Sequence, residues 1–328
     1  MGALNRRDFI RSTAGVVAAG VAAPSIAKAA PAMPVAATKV ALGNTGVTPS
    51  LLGMGTGVSA WNFDSEAIRR GKQKFVNNLI HAYDRGIRYF DLADMYGSHR
   101  YMCQAMRDGK MDRGEMTLLS KTISTTGKEV RDDVHRFIAD LDAEYMDIVL
   151  LHCMQSGDWT EKMASCMDAL DKLKEEGKVK AVGVSCHNFD AMKVASEHPW
   201  VDVMLARINP YGLKMDGSVD EVQQVLETSC DNDKGILGMK IFGEGIVAKS
   251  DKEFDKAIRQ SEKDGLTPRM ELITDDVRKN QEARMLASLK FAMGLPCVQA
   301  FTIGMVEQHD IDDTLAKIDA VAKSEGIA

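Results

Sequence analysis

The sequence predicts a single α/β domain folded as a (β/α)8 TIM barrel, and three observations carry that expectation. Asp91, Lys121 and His152 close the short apolar runs 87–90, 117–120 and 146–151. Such β-branched and leucine-rich runs read as buried parallel strands. Helical patterns alternate with them along the chain. The strand ends Asp91, Lys121, His152 and Ser185 follow one another at intervals of 30, 31 and 33 residues, about the length of one strand plus its crossover helix. A doubly wound sheet shares the alternation but spreads its strand ends along an edge. A closed barrel gathers them at one rim, which is what four consecutive functional strand ends call for.

Length and composition agree. The chain has 328 residues, 45% hydrophobic and 27% charged, ordinary for a globular protein. One barrel of roughly 250 residues or more uses most of it, and no Pro/Gly/Ser-rich linker interrupts the body.

The first element lies outside the fold. Asn5-Arg6-Arg7-Asp8-Phe9 precedes an apolar stretch over 14–23, and Ala27-Lys28-Ala29 offers small residues for cleavage. Residues 1–29 therefore resemble a twin-arginine export signal, and the apolar stretch is shorter than the roughly 20 residues of a membrane span. Residues 30–38 are expected to be a disordered mature N-terminus, and 39–328 the barrel. The implied partner is the twin-arginine export machinery, the implied location periplasmic or otherwise extracytoplasmic. Removing 1–29 deletes four cations and one carboxylate, moving the net charge from −6 to −9. So acidic a chain suits neither nucleic acid nor an anionic membrane surface, and no transmembrane span is expected in the mature protein.

The first strand is read at 51–57, ending in Gly55-Thr56-Gly57. A helix follows over 65–85, with Phe75, Leu79 and Ala82 at helical spacing and Gly86 as its stop. Further helices are read at 128–144, 161–176 before Gly177, 189–197 before Pro199, and 219–230. The remaining strands are read at 179–185, 201–208, 236–242 and 300–305, which makes eight. The interval from Lys240 to Gly304 breaks the rhythm. Its charged section 249–264 is read as an insertion with its own helix and a solvated face.

The six cysteines are scattered, with no Cys-x-x-Cys pair, so buried free thiols are expected and no metal site. Cys153 and Cys186 stand at the ends of neighbouring strands, where an oxidising compartment could bridge them. A metal set of His152, Cys153, Cys186 and His187 is disfavoured because successive strand residues point to opposite faces.

Taken in order, Lys39-Val40-Ala41-Leu42-Gly43-Asn44-Thr45-Gly46-Val47, Phe90-Asp91-Leu92-Ala93-Asp94-Met95-Tyr96-Gly97, Leu119-Ser120-Lys121-Thr122, Leu150-Leu151-His152 and Val182-Gly183-Val184-Ser185 resemble the aldo-keto reductase superfamily over residues 39–320. The resemblance implies an NAD(P)-dependent oxidoreductase, and the chemistry of the residues agrees. Carbonyl reduction needs a hydride donor on one side and a proton donor beside the forming alkoxide. Tyr96 is the expected general acid/base. Lys121 would draw its phenol below the ordinary pKa of about 10; Asp91 would pair with Lys121, and His152 would hydrogen-bond the substrate carbonyl. Each residue has a structural alternative, as ion pair, packing aromatic or satisfied core histidine, and their occurrence together outweighs it.

For the cofactor, NADP or NAD, the resemblance implies Gly55 and Thr56 near the nicotinamide ribose, Asp91 beside them, and Ser185 on the carboxamide. The family's Asn after that serine is Cys186 here, so Asn188 is carried as its replacement. The seventh strand lacks the family's stacking tyrosine, a role that is weakened or moved. Lys240, Phe242, Gly243 and Gly245 occupy this stretch and would approach the pyrophosphate. Gly304 belongs to the segment that meets the adenosine phosphate. No basic residue precedes Glu307 there, and a carboxylate suits a 2′-hydroxyl better than a phosphate, so the choice of dinucleotide stays open. Trp61 and Trp159 are expected to line a pocket for a sugar, aldehyde or ketone. An exported enzyme cannot rely on the cytoplasmic cofactor pool, which points to a tightly held dinucleotide. Two alternatives remain open from the sequence: a Schiff-base lyase or aldolase using Lys121, and a non-catalytic dinucleotide-binding sensor module.

Overall fold

The computed structural model describes residues 34–327; the predicted export signal over 1–29 lies outside them. Eight strands, β1 (Leu52–Gly55), β2 (Tyr89–Asp91), β3 (Thr117–Thr122), β4 (Met146–Met154), β5 (Val179–Cys186), β6 (Val203–Arg207), β7 (Gly235–Met239) and β8 (Ala300–Gly304), form a closed barrel in sequence order. Every pairing is parallel, and β8 returns to β1. The register puts Gly55 beside Asp91, Asp91 beside Leu119, and Lys121 beside Leu150. The predicted strand ends therefore do meet at one rim.

Each strand is followed by helix. These are α1 (Glu66–Arg69) and α2 (Lys72–Asp84), α3 (His99–Asp108), α4 (Gly127–Asp140), α5 (Trp159–Lys162) and α6 (Ala164–Glu175), α7 (Phe189–Glu197), α8 (Val219–Asp231), α9 (Asp251–Lys263), α10 (Asp275–Lys279) and α11 (Gln281–Gly294), and α12 (Gln308–Ser324). Alternation along the strands builds two cores. Tyr89, Leu119, Ile148, Leu150, Val203, Leu205 and Leu237 fill the barrel, while Leu118, Val149, Leu151, Val182, Val184 and Met204 pack outward beneath the helices. The barrel floor is plugged from the N-terminal side. Residues 39–50 fold back as a hairpin, with Val40 N–H donating to Pro49 O at 2.9 Å and Leu42 N–H to Val47 O at 3.1 Å. Val40, Leu42 and Val47 enter the inner core.

Three expectations need correction. Residues 34–38 are ordered: a 3₁₀ turn at Val35–Ala37 buries Ala36 and Ala37, and Val35 N–H donates to Asp319 Oδ1 of α12 at 3.0 Å. The single helix read over 65–85 is two, broken at Arg70–Gly71. The insertion after β7 presents more than a solvated face. Phe254 and Ile258 of α9 join Tyr211, Leu213, Val247, Ile273 and Val277 in a small core of their own, and the buried Arg284 donates to Asp251 Oδ1 at 3.2 Å and Lys249 O at 3.1 Å. Helix α3 is absent from the sequence reading; its buried face mixes His99 and Tyr101 with Met102, Cys103 and Ala105.

Candidate active site

Lys121 is the hinge of the rim. Its ammonium is almost fully buried and is bound by Asp91 Oδ1 and by Leu92 O, the latter at 2.8 Å. It lies 4.8 Å from the centre of the Tyr96 ring, close enough to act on that phenol. Asp91 and Leu92 O take two of its three N–H donors. Burial opposes its charge, but Asp91 and then the Tyr96 phenol outweigh that and hold its pKa above the ordinary lysine value. A lysine so held is an ammonium, not a free amine, which removes the basis for a Schiff-base role. A buried pair adds little stability over apolar packing, whereas breaking one costs about 3–5 kcal/mol; chemistry, not stability, is the economical reason for its presence.

Tyr96 ends a 3₁₀ turn, Asp94–Tyr96, just beyond β2. Asp94 fixes the turn by accepting from both Arg136 Nη atoms at 2.8 and 3.0 Å. Gly97 follows with φ of +65°, where a Cβ would fall 2.0 Å from Phe63 O. Phe63 N–H donates to Met95 O at 2.9 Å, so the loop after β1 is stapled to this turn. From the same loop Gly57 lies flat on the phenol: a Cβ there would sit 2.4 Å from Cε2 and Cζ. Burial pushes the Tyr96 phenol above its ordinary pKa, and Lys121 pulls it back.

His152 stands edge-on to Tyr96, ring centres 6.0 Å apart. Burial, then Lys121, lowers its pKa to about 2, so the imidazole is neutral. Nδ1 is buried without a partner. Nε2 is therefore the nitrogen left to meet a ligand. By contrast His99, also held neutral by burial, is a satisfied core residue, with Nε2 2.8 Å from Ser120 Oγ and its ring stacked on Phe137.

Sequence reasoning missed a second group. A bulge in β4 between Leu151 and Met154 turns Cys153 to φ of +63°, and its Sγ comes 3.6 Å from His187 Nε2. The alternation argument against these two meeting fails at that bulge. Among the described residues no set of three candidate ligands could hold a metal. All six cysteines are free thiols, and Cys186 is buried, in the outer core, so Cys153 and Cys186 do not pair. Arg207, at the end of β6, donates through Nε to Asp216 at 2.9 Å and through Nη2 to the same carboxylate. It sits near His187, whose pKa is lowered to about 4 by burial and then by Arg207. A polar residue closing an apolar run marked Arg207 as it marked Lys121.

The residues assigned to a dinucleotide divide into two sets. Ser185 is buried, and its Oγ accepts from Cys153 N–H at 2.8 Å, which leaves its hydroxyl hydrogen free to donate. Phe242 is half-buried at the rim. Lys240 pairs with Glu244 at 2.7 Å, and a Cβ on Gly245 would meet open space. These fit a carboxamide, a flat ring and an anionic pyrophosphate. The others are taken up by the protein. Thr56 donates to Asp91 O at 2.9 Å and meets Ser98 Oγ at 3.0 Å; Asn188 Oδ1 caps α7 by accepting from Ala191 N–H at 3.1 Å. Gly55, Gly304 and Gly243 are filled against Thr302, Val58 and Leu213. Glu307 is not bare, because Arg70 at 3.1 Å and Lys74 at 2.6 Å bring it the cations its own segment lacks.

The two tryptophans separate. Trp61 is 74% exposed on the loop after β1, near Tyr96's turn. Trp159 is 2% exposed, packs against Trp200 and His198, and donates its indole N–H to Ala191 O at 3.3 Å. It is a core residue, and its predicted place in the pocket is corrected: helix α5 turns it under the rim.

Among known proteins, the profile of the Aldo/keto reductase family matches residues 52–328. The chain is similar to an L-galactose dehydrogenase of Arabidopsis thaliana, 25% identical over 44% of this chain and 47% of that protein. It is also similar to a D-threo-aldose 1-dehydrogenase of Pseudomonas sp, 24% identical over 68% of this chain and 76% of that one. The match thus spans about half the length of the plant relative. An aldo-keto reductase of Bacillus halodurans, solved in its holo form, shares the fold with a TM-score of 0.64 at 15% identity, over 85% of this chain and 90% of that one.

Proposed function

The chain belongs to the aldo/keto reductase family, and on that footing we propose that it is an NAD(P)H-dependent oxidoreductase interconverting a carbonyl and an alcohol, with Tyr96 as general acid/base. One observation carries the reading: a buried ammonium bound to Asp91 and Leu92 O and set 4.8 Å from the centre of the Tyr96 ring, beside a neutral His152. A bound nicotinamide would supply the hydride. The protein's own residues handle the proton and the charge. Lys121 favours the phenolate, so Tyr96 can release its proton to a carbonyl oxygen becoming an alkoxide. The negative charge left on the phenolate is balanced by the Lys121 ammonium, which Asp91 holds in place. His152 Nε2 fixes the angle of the carbonyl and helps to hold the negative oxygen. In the opposite direction Tyr96 takes the alcohol proton.

Ser185, Phe242, Lys240 and Gly245 are the residues we assign to the dinucleotide, and Trp61 to the substrate, as an aromatic face suited to a sugar ring. The sugar dehydrogenases among the relatives support a sugar or other small carbonyl as substrate. We further propose export through the twin-arginine route, on the strength of residues 5–29. That route moves folded proteins, so the dinucleotide is carried out in place and cycled there by paired substrates. Among the described residues no helix is long and apolar enough to cross a membrane. The test is to incubate the mature chain with NADH and with NADPH, following nicotinamide fluorescence against a panel of sugars, aldehydes and ketones. Turnover with either dinucleotide is expected; binding without turnover across the panel would leave only the sensor alternative standing. Mass spectrometry of protein taken from the exported compartment should find nucleotide, and its absence would end the carried-cofactor idea.

A further inference from the structure

Tyr96 and Lys121 act together but stand on different segments, the turn after β2 and the end of β3. Lys121 is fixed by Asp91 and Leu92 O, at the end of β2. Neither bond reaches the turn at Asp94–Tyr96. The 4.8 Å between the ammonium and the centre of the Tyr96 ring therefore depends on what holds that turn. Much of the hold comes from α4. Asp94 opens the turn, is buried, and accepts from both Nη atoms of Arg136 at 2.8 and 3.0 Å. The same guanidinium donates through Nη2 to Asp133 Oδ1 at 2.6 Å, one turn back on the helix. The other oxygen of Asp133 accepts from Ser124 Oγ at 2.7 Å and from Thr122 Oγ1. Thr122 is buried and directly follows Lys121, and strand alternation turns it outward beneath α4 as Lys121 turns inward. A second tie lies just before Lys121, where His99 of α3 meets Ser120 Oγ at 2.8 Å.

We infer that Arg136 is a positioning residue: through Asp94 it sets the Tyr96 phenol against Lys121, while Asp133 and Thr122 lock the guanidinium to the lysine's own strand. The inference rests on the reading of Tyr96 as general acid/base. Ion pairs partly open to water add little stability, whereas a guanidinium gripping a carboxylate with two atoms fixes its orientation. The product of this network is geometry. Without Arg136 the turn is free to drift from the ammonium, and the Asp94 carboxylate is left without its partner. Lys121 draws the phenol pKa down, so both changes raise it.

Arg136→Met and Asp94→Asn, singly and together, are compared with the parent and with Tyr96→Phe in the mature chain, using the dinucleotide and the carbonyl of the sugar, aldehyde and ketone panel that turn over fastest. Arg136→Met should lose about 10²-fold in kcat, as a displacement of about 1 Å does, with KM and dinucleotide Kd within about threefold of the parent. Oxidation of the corresponding alcohol needs the phenolate, and the pH at which it is half-maximal should rise by about one unit. Asp94→Asn should lower kcat similarly, and the double variant should be no worse than either single one, since both act through one contact. Arg136→Lys keeps the charge without the fork and should recover part of kcat. Arg131→Met removes an ion pair with Glu176 at 2.7 Å from the same helix and should leave kcat unchanged. If Arg136→Met does not fold, Asp133→Asn loosens the same guanidinium and is read in its place for kcat and the pH midpoint. A folded Arg136→Met with kcat near the parent's, losses that multiply in the double variant, or a lowered kcat with an unmoved pH midpoint would each overturn the inference. Tyr96→Phe separates the two failures. If it keeps its turnover, the general-acid reading falls and the inference with it; if it is inactive while Arg136→Met is not, the positioning role alone falls.

Discussion

Replacing Gly57 by Ala probes the catalytic geometry without touching a reacting group. The new methyl would lie 2.4 Å from Cε2 and Cζ of Tyr96, where carbon atoms rest at about 3.6 Å, so the ring must move by about 1.2 Å. It has little room to do so sideways, with Lys121 4.8 Å from its centre and the His152 ring 6.0 Å away. The hydroxyl is carried off with Cζ. A displacement of about 1 Å at a reacting group costs on the order of 10²-fold in rate, or about 2.7 kcal/mol. Overpacking costs about 1–3 kcal/mol in stability, which a barrel of this size tolerates. Gly57→Ala should therefore remain folded and bind dinucleotide, with kcat down about 10²-fold for the best carbonyl substrate. Melting temperature and nicotinamide fluorescence serve as controls. A folded variant with kcat within about threefold of the parent would refute the placement of Gly57 under the acting phenol.

Four further outcomes follow from the same geometry. Tyr96→Phe keeps the ring and loses the hydroxyl, so turnover should fall by about 10²-fold or more with dinucleotide affinity little changed; near-normal reduction would reassign the proton donor. Lys121→Met should destabilise by about 3–5 kcal/mol by leaving Asp91 buried and alone, and Asp91→Asn in the same chain should recover part of it. Lys121→Arg should keep more activity than Lys121→Met, whereas borohydride trapping of substrate on Lys121 without nicotinamide would restore the lyase reading. Acid should weaken the fold early. His99, His152 and His187 are held neutral, at about 3, 2 and 4, against about 6.5 unfolded. The unfolded chain thus binds more protons below pH 6.5, and stability present above that pH is lost as pH falls, by up to about 1.4 kcal/mol per unit for each. A urea midpoint that stays flat from pH 7 to 5 would contradict this. Finally, Glu307→Gln uncovers Arg70 and Lys74 and should shift preference toward NADPH in paired Kd measurements; an unchanged ratio would remove this rim from cofactor choice.

The barrel and its four central groups were legible because both depend on local signals. Strand-ending Asp91, Lys121 and His152 interrupt apolar runs, and the period of one strand plus one helix sets them on one rim. What escaped depended on departures from regularity. The alternation rule separated Cys153 from His187 until a bulge in β4 brought them together. Trp159 read as a pocket residue by its place after β4, but a tryptophan at the start of a short helix can turn either way, and burial beneath α7 decided it. Asn188 was matched to a cofactor role by residue type, while its position before α7 is also that of a helix cap, the local demand that prevailed. The cations beside Glu307 come from helices some 230 residues earlier, a juxtaposition no window of sequence contains.

Burial sets the site a problem, since the same dry surroundings that sharpen electrostatics raise the pKa of a phenol that must give and take a proton. Lys121 is the first answer, and the arrangement of the remaining charges is the second. Burial raises the pKa of the Cys153 thiol, and Lys121, Arg207 and Lys240 oppose that rise; at His187 burial lowers the pKa and Arg207, Lys240 and Lys121 add to it, as Lys121 and Lys240 do at His152. Their carboxylate partners Asp91, Glu244 and Asp216 make the ion pairs, and at both histidines the cations reinforce what burial does first. The cations at this rim therefore act together on His152 and His187. Cations so placed suit the negative oxygen that carbonyl reduction creates. Their placement also explains why His152 can remain neutral beside the reacting carbon: with the charge supplied by fixed pairs, the imidazole is needed only as a hydrogen-bond donor.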